Sequence, residues 1–231
     1  MPDPLTKSQI DKLGQRLRSQ TFQEIELTVL DEYRRSFGAA YDRVVEKVHA
    51  VLGVPVSGRP AKSTTSIIEK LNRESIRLSQ IQDIAGCRVV VSDSLEQNRA
   101  VELIAKAFEN AELQDRRTKP SHGYRAVHVI IRDYGKSIEL QVRTGLQQVW
   151  AELSEKSADV IDASIKYGGG PPSVREVLDG AATMVGVVEE LELAVRTADI
   201  AERLREAREE FASNMRSTLK ALNEADLEGD T

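Results

Sequence analysis

The chain has 231 residues, 40% of them hydrophobic and 30% charged, with a formal net charge of −5. That is a globular composition with enough apolar residues for a core. The acidic balance argues against nonspecific DNA binding, and the single cysteine, Cys87, excludes a disulfide framework and a cysteine-rich zinc site. No run approaches the 18 apolar residues that a membrane span needs, and no apolar signal segment opens the chain, so the expectation is a cytoplasmic protein with neither membrane nor DNA as partner.

In chain order, Gln23 to Leu52 predicts one long helix, with Leu27, Leu30 and Phe37 on its apolar stripe. Pro55-Val56-Ser57-Gly58 ends it. Thr64 to Ser79 predicts a second helix capped by Ser63. Ala85–Val91 is an apolar strand that carries Cys87 as a buried thiol. Glu96 to Glu112 predicts an amphipathic helix. Arg125–Arg132 and Ser137–Arg143 predict strands joined at Asp133-Tyr134-Gly135-Lys136. A helix follows from Gly145, and Gly168-Gly169-Gly170-Pro171-Pro172 breaks the chain before two more helices, with an acidic, frayed end after Asn223. The expected architecture is α+β, a small mixed sheet flanked by helices.

Charge is uneven along this plan. Between Arg59 and Arg143 there are 15 Lys/Arg against 11 Asp/Glu, an excess of four inside an acidic protein. A locally basic middle suits a polyphosphate pocket better than a long nucleic-acid groove.

Four segments carry chemistry. Arg59 and Lys62 precede the second helix, and Ser66, Lys70, Arg73 and Arg77 follow at spacings that share one helix face, a cationic cradle for a triphosphate. In Asp83-Ile84-Ala85-Gly86-Cys87-Arg88, an acid leads into a buried strand, where it can ligate Mg²⁺. His122-Gly123-Tyr124-Arg125-Ala126-Val127-His128 sets an aromatic ring beside a flexible glycine, able to stack on a purine, with Arg125 and His128 near phosphate or ribose. Ile138-Glu139-Leu140-Gln141-Val142-Arg143 alternates, so Glu139, Gln141 and Arg143 line one face of a strand. Taken singly, each segment also fits an ordinary solvated helix face, turn or half-buried strand.

Taken in order, the set resembles the synthetase domain of the RelA/SpoT family: a basic run into Ser-Ile-x-x-Lys, then Asp-Ile-x-Gly-x-Arg, Gly-Tyr-Arg-x-x-His, and Glu-x-Gln-x-Arg-Thr followed by Trp150-Ala151. It covers roughly residues 59–156. Three features depart from the usual pattern: Arg59 lies three residues before Lys62 rather than two, His122 and Ala126 flank Gly-Tyr-Arg where Asn and Ser are usual, and Ser154-Glu155-Lys156 follows Trp150-Ala151 where Glu-His-Lys is usual. The segments around His122, Trp150 and Lys166-Tyr167-Gly168 are more similar to the toxic small alarmone synthetase branch. None of the three histidines is followed by Asp, so the metal pair of the family's hydrolase domain is not expected.

The resemblance implies a nucleotidyltransferase-like RelA/SpoT synthetase fold at residues 54–170, with N-terminal helices over 1–53 and C-terminal helices over 171–231. It implies a pyrophosphokinase that uses ATP and Mg²⁺, with Asp83 and Glu139 as catalytic and metal-holding carboxylates. Arg59, Lys62, Ser66, Lys70, Arg88 and Arg143 would serve ATP and its phosphates. Tyr124, Arg125, His128 and Gln141 would serve the acceptor. The expected acceptor is the tRNA 3′-CCA end, in a growth-inhibiting toxin of a toxin-antitoxin or phage-defence system with an antitoxin protein as partner. The alternatives are a small alarmone synthetase making (p)ppGpp or (p)ppApp from GDP/GTP or adenosine nucleotides, and a non-catalytic binding module. For a tRNA acceptor, Arg116, Arg117 and Lys119 are candidate backbone contacts.

Overall fold

Thr6 opens the first helix through a capping box: its hydroxyl accepts from Gln9 N at 3.3 Å, and the Gln9 side chain accepts from Thr6 N at 2.8 Å. In the computed structural model, which describes residues 5–19, 22–195 and 197–229, the helices are α1 (Lys7–Arg18), α2 (Glu24–Arg35), α3 (Gly38–Leu52), α4 (Thr64–Arg73), α5 (Ser94–Ala107), α6 (Gly145–Val160), α7 (Pro172–Ala194) and α8 (Ala198–Gly229). The strands are β1 (Ser57–Arg59), β2 (Ala85–Val91), β3 (Glu112–Asp115), β4 (Val127–Asp133) and β5 (Lys136–Thr144). They form one five-stranded sheet in the order β1-β2-β5-β4-β3. The fold is α+β, a mixed sheet flanked by helices, as the sequence leads one to expect.

The chain groups into two compact units. The first takes in Met1–Val89, Leu103–Leu113 and Val129–Gln141, and the second Val90–Glu102, Gln114–His128 and Val142–Thr231.

In the first unit, the long helix expected from Gln23 to Leu52 is two helices. The Ser36 hydroxyl donates to Tyr33 O at 2.6 Å, and Phe37 N bonds back to Arg34 O, so the chain tightens and restarts at Gly38. Lys136 holds this corner, donating to Ser36 Oγ at 2.7 Å and lying 4.7 Å from the Phe37 ring centroid. The helix expected through Ser79 ends at Arg73. Arg18 accounts for the stop: its guanidinium donates to the carbonyls of Leu71, Glu74 and Ile76, which replaces the helical bonds those oxygens would accept. Glu74 is extended (φ −108°, ψ 137°), and only a short 3₁₀ turn, Leu78–Gln80, follows. Arg77 therefore leaves the face that Ser66, Lys70 and Arg73 share.

β1 pairs antiparallel with β2, with Gly58 opposite Cys87. The approach requires glycine: a Cβ on Gly58 would stand 2.4 Å from the Gly86 carbonyl oxygen. Cys87 is buried as expected; burial, with the charge of Glu139 adding to it, pushes its thiol up to about 12.

In the second unit, α6, α7 and α8 enclose a core that includes Trp150, Leu153, Leu178, Val185 and Met215. The Trp150 indole donates to Leu178 O at 3.0 Å. The glycine-proline break falls where expected, with Gly168 left-handed (φ 80°) after the 3₁₀ turn Ala163–Tyr167 and Pro172 starting α7. The backbone of α8 stays helical to Gly229, past the point after Asn223 where fraying is expected. The helix expected from Glu96 to Glu112 stops at Ala107. A turn at Phe108–Ala111 closes it, and Glu112–Asp115 becomes a strand at the sheet edge.

Candidate active site

Asp83 is the centre of the first group. Lys62 Nζ donates to one of its oxygens at 2.7 Å and Lys70 Nζ to the other at 2.9 Å. All three side chains are about four-fifths buried or a little more. Burial by itself would raise the Asp83 pKa, but the hydrogen bonds and charges of Lys62 and Lys70 outweigh it and hold the value down to about 2. Local structure explains why the trio forms. Ser63 caps α4, its Oγ accepting from Ser66 N at 3.1 Å, and Lys62 N donates to Ile84 O, which ties the chain before α4 to the strand entry after Asp83. Arg34 braces the same point by donating to Lys62 O and, at 3.0 Å, to Thr64 Oγ1. Lys70, two turns into α4, then reaches the carboxylate from the other side.

Glu139 and Gln141 stand on β5, where Ile138, Leu140 and Val142 are buried and the residues between them are half-buried. This is the expected alternation. Gln141 Nε2 donates to Glu139 Oε2 at 2.8 Å. Gly86 on β2 admits the strand closely, a Cβ there lying 3.2 Å from Glu139 O. Arg88 is half-buried, with Nε donating to Ser57 Oγ at 3.3 Å, and Arg59 is exposed at the end of β1 opposite Gly86. The Ser66 hydroxyl accepts from Ser63 Oγ at 2.8 Å.

The second group is built on Tyr124, which is half-buried. Its hydroxyl accepts from Arg143 Nη2 at 2.9 Å and lies 2.9 Å from His128 Nε2. The guanidinium carbon of Arg143 sits 5.1 Å from the Tyr124 ring centroid, and His128 meets the ring edge-on at 5.6 Å. Arg143 and His128 are buried. Gln148 Oε1 accepts from Arg143 Nη1 at 2.9 Å, and its amide donates to Glu152 at 2.6 Å.

Arg125, expected near phosphate or ribose, is instead ion-paired to the buried Glu189 of α7, with Nη2 at 2.7 Å. Arg117, expected as an RNA backbone contact, is clamped by Asp115, Gln97 and Asn98. Lys119 stays exposed.

Sequence reasoning missed Gln97, Gln147, Gln148 and Glu189. Two of them carried a signal. Thr144-x-x-Gln147 is a capping-box spacing, and both halves of the box form. Glu189 falls on the face of α7 marked by Leu178, Ala182 and Val185, an acid in a buried stripe. Among the described residues no group of three or more His, Cys, Asp or Glu gathers as a metal site, and no helix is long and apolar enough to cross a membrane.

Residues 58–167 match the family described as the region found in RelA/SpoT proteins. An uncharacterized protein of Mycobacterium tuberculosis is 37% identical over 134 residues, 56% of this chain and 49% of the relative, so the chain spans about half the length of the curated relatives it matches. Among solved structures, the small alarmone synthetase 1 of Bacillus subtilis is similar at a TM-score of 0.57 and 22% identity, over 78% of this chain and 98% of that one. The same synthetase bound to its product pppGpp gives 0.57 and 21%, over 71% and 94%. A GTP pyrophosphokinase family protein of Streptococcus pneumoniae gives 0.58 and 22%, over 76% and 96%. At these identities the likeness is one of fold. The matched region holds the Asp83, Tyr124 and Glu139–Arg143 segments in their expected order; residues 58–167 are similar to the region found in RelA/SpoT proteins, and the chain shares the fold of the small alarmone synthetases.

Proposed function

We propose that the chain is an ATP-dependent pyrophosphokinase that transfers the terminal diphosphate of ATP to the 3′-hydroxyl of a purine ribonucleotide end, with residues 54–170 as the catalytic core. The observation that carries this reading is Asp83 held between Lys62 and Lys70. A carboxylate kept ionised by two ammonium groups is a site that polyphosphate can enter, with the lysines turning to phosphate oxygens and the carboxylate left for a cation. Mg²⁺ fits this donor set, since it is commonly bound by one or two carboxylates with substrate phosphates completing the sphere. Asp83 and Glu139 would hold it, and when bound it neutralises charge on the phosphate oxygens.

The remaining steps fall to the chain's own residues. Lys62, Lys70, Ser66, Arg59 and Arg88 orient ATP. The acceptor 3′-oxygen attacks the β-phosphorus, the bond from that phosphorus to the α,β-bridging oxygen breaks, and AMP leaves with the oxygen. Glu139 takes the hydroxyl proton, and its hydrogen bond from Gln141 fixes the carboxylate. Arg143 and Tyr124, with His128, hold the acceptor.

For the acceptor we favour the tRNA 3′-CCA end, which ends in a purine nucleoside, and a growth-inhibiting role countered by an antitoxin protein. The support is the motif resemblance around His122, Trp150 and Lys166. A second reading, a guanosine nucleotide as acceptor, is favoured by the likeness of fold to a synthetase bound to pppGpp. Incubation with ATP labelled in its β- and γ-phosphates, together with deacylated tRNA or GDP/GTP, tests the proposal. Label on an acceptor 3′-hydroxyl with stoichiometric AMP is expected. Hydrolysis alone, or no turnover with any acceptor, would overturn it.

A further inference from the structure

Glu189 lies on α7, outside the region that matches the family. It is buried, and it uses both carboxylate oxygens. Oε2 accepts from Arg125, with Nε at 2.8 Å and Nη2 at 2.7 Å. Oε1 accepts from Gln147 Nε2 at 2.6 Å. These two partners are the immediate supports of the Tyr124–Arg143 pair. Arg125 is the next residue after Tyr124. Gln147 Oε1 accepts from Thr144 N at 3.0 Å, and Thr144 follows Arg143.

Other contacts fix the same turn. Gly123, with φ 83°, packs so closely that a Cβ there would lie 2.7 Å from the Trp150 ring and 2.8 Å from Ala182 of α7. Gly186, one turn before Glu189, leaves room for the Arg125 guanidinium, since a Cβ there would lie 3.5 Å from Nη1. On the far side, Gln97 exchanges amide hydrogen bonds with Gln147 and accepts from Arg117. A buried ion pair is a poor source of net stability, because desolvation offsets the attraction. Its value lies in fixing one geometry.

We propose that Glu189 is a positioning residue for the acceptor subsite: one carboxylate ties the backbone beside Tyr124 to the backbone beside Arg143 and so sets the geometry in which those two side chains meet. The inference rests on the acceptor role given above to Tyr124 and Arg143. It assigns to α7, outside the matched region, a part in acceptor recognition rather than in phosphate chemistry.

Glu189→Gln keeps the shape and the oxygen that Gln147 needs, and removes the charge that Arg125 pairs with. In the full chain, the KM for the acceptor should rise by about tenfold while the KM for ATP stays unchanged. Hydrogen exchange in residues 121–128 should speed up, with α8 protected as before. The Arg125→Gln, Glu189→Gln double variant should be no worse than Arg125→Gln alone, since Glu189 acts through its partner. Unchanged acceptor KM together with unchanged exchange would overturn the inference. So would a parallel rise in both KM values with exchange accelerated throughout, which would mean a general packing role. If the wild-type chain labels no acceptor, the proposed function fails, and local loss of protection at 121–128 still decides whether Glu189 positions the turn.

Discussion

Arg143 grips Tyr124 twice: Nη2 donates to the phenolic oxygen at 2.9 Å, and the guanidinium carbon lies 5.1 Å from the ring centroid. The ring is therefore part of a locked pair and not an independent stacking platform. Arg143 is an obligate donor, so the phenolic oxygen accepts from it, and His128 Nε2 lies 2.9 Å from the same oxygen.

The hydroxyl should matter for that reason. From the sequence alone, a ring beside Gly123 works by its face, and phenylalanine would serve. In the structure, Tyr124→Phe withdraws an acceptor from the buried Arg143 and a partner from His128, a loss of roughly 1–3 kcal/mol. Acceptor use should fall by about tenfold or more in steady-state assays, with ATP binding by calorimetry little changed. Tyr124→Ala should lose the ring as well and fall further. Full activity in the phenylalanine variant would show that the lock has no part in turnover.

Glu139→Gln should abolish transfer and leave the fold intact. The strand's buried residues, Ile138, Leu140 and Val142, are untouched, and an amide can still accept from Gln141. A loss on the order of a hundredfold or more is expected for a proton acceptor or metal-holding carboxylate. Turnover and melting temperature measured on the same sample separate this from unfolding. Wild-type turnover would remove Glu139 from the mechanism.

Asp83 ties stability to pH. Its folded-state pKa of about 2 lies below the ordinary aspartate value of 3.8, so protons bind the unfolded chain more readily. The group's contribution, roughly 2 kcal/mol, is complete above the unfolded pKa and disappears as pH falls through about 3.8 towards 2. The difference in unfolding free energy between wild type and Asp83→Asn should therefore be flat from neutral pH to about 5 and shrink below that. A gap that stays constant down to about pH 2 would show that Lys62 and Lys70 do not hold the carboxylate as the geometry implies. Asp83→Asn should also weaken use of ATP, since the charge that balances the lysines and would hold Mg²⁺ is gone.

How far the sequence carries the argument depends on whether a residue's partner is local. The Asp83, Tyr124 and Glu139 segments could be found because each packs its chemistry into a few consecutive positions. The α4 boundary could not, because it is set by Arg18, more than fifty residues upstream, whose guanidinium takes the carbonyls of Leu71, Glu74 and Ile76. Arg125 and Arg117 look alike in sequence, as basic residues in or near a motif. Glu189 turns Arg125 into a largely buried ion pair, and Asp115 holds Arg117 in a pair at the exposed end of β3. Glu189 comes from a helix 64 positions away, and no local pattern connects the two. Glu139 and Gln141, by contrast, needed only the two-residue period of a strand.

The acceptor can be separated by salt. Neutralising phosphate contacts on a polynucleotide releases counterions, so tRNA binding weakens steeply as salt rises, while use of a mononucleotide changes much less. The structure sorts the candidate contacts. Lys119 is exposed and free to meet a backbone phosphate, whereas Arg117 is committed to Asp115, Gln97 and Asn98. If the tRNA end is the acceptor, labelling of deacylated tRNA should exceed labelling of GDP or GTP at low salt and decline as salt is raised. Lys119→Gln should reduce the slope of that decline by about one contact, with the melting temperature unchanged. Arg117→Gln should act differently: it removes the cation that satisfies Gln97 and Asp115, so it should lower stability by roughly 1–3 kcal/mol and depress use of every acceptor alike. The guanosine reading makes the opposite forecast for the first comparison. GDP or GTP would take more label than tRNA even at low salt, Lys119→Gln would have no effect, and cells expressing the chain would accumulate guanosine alarmones while their tRNA ends stayed unmodified.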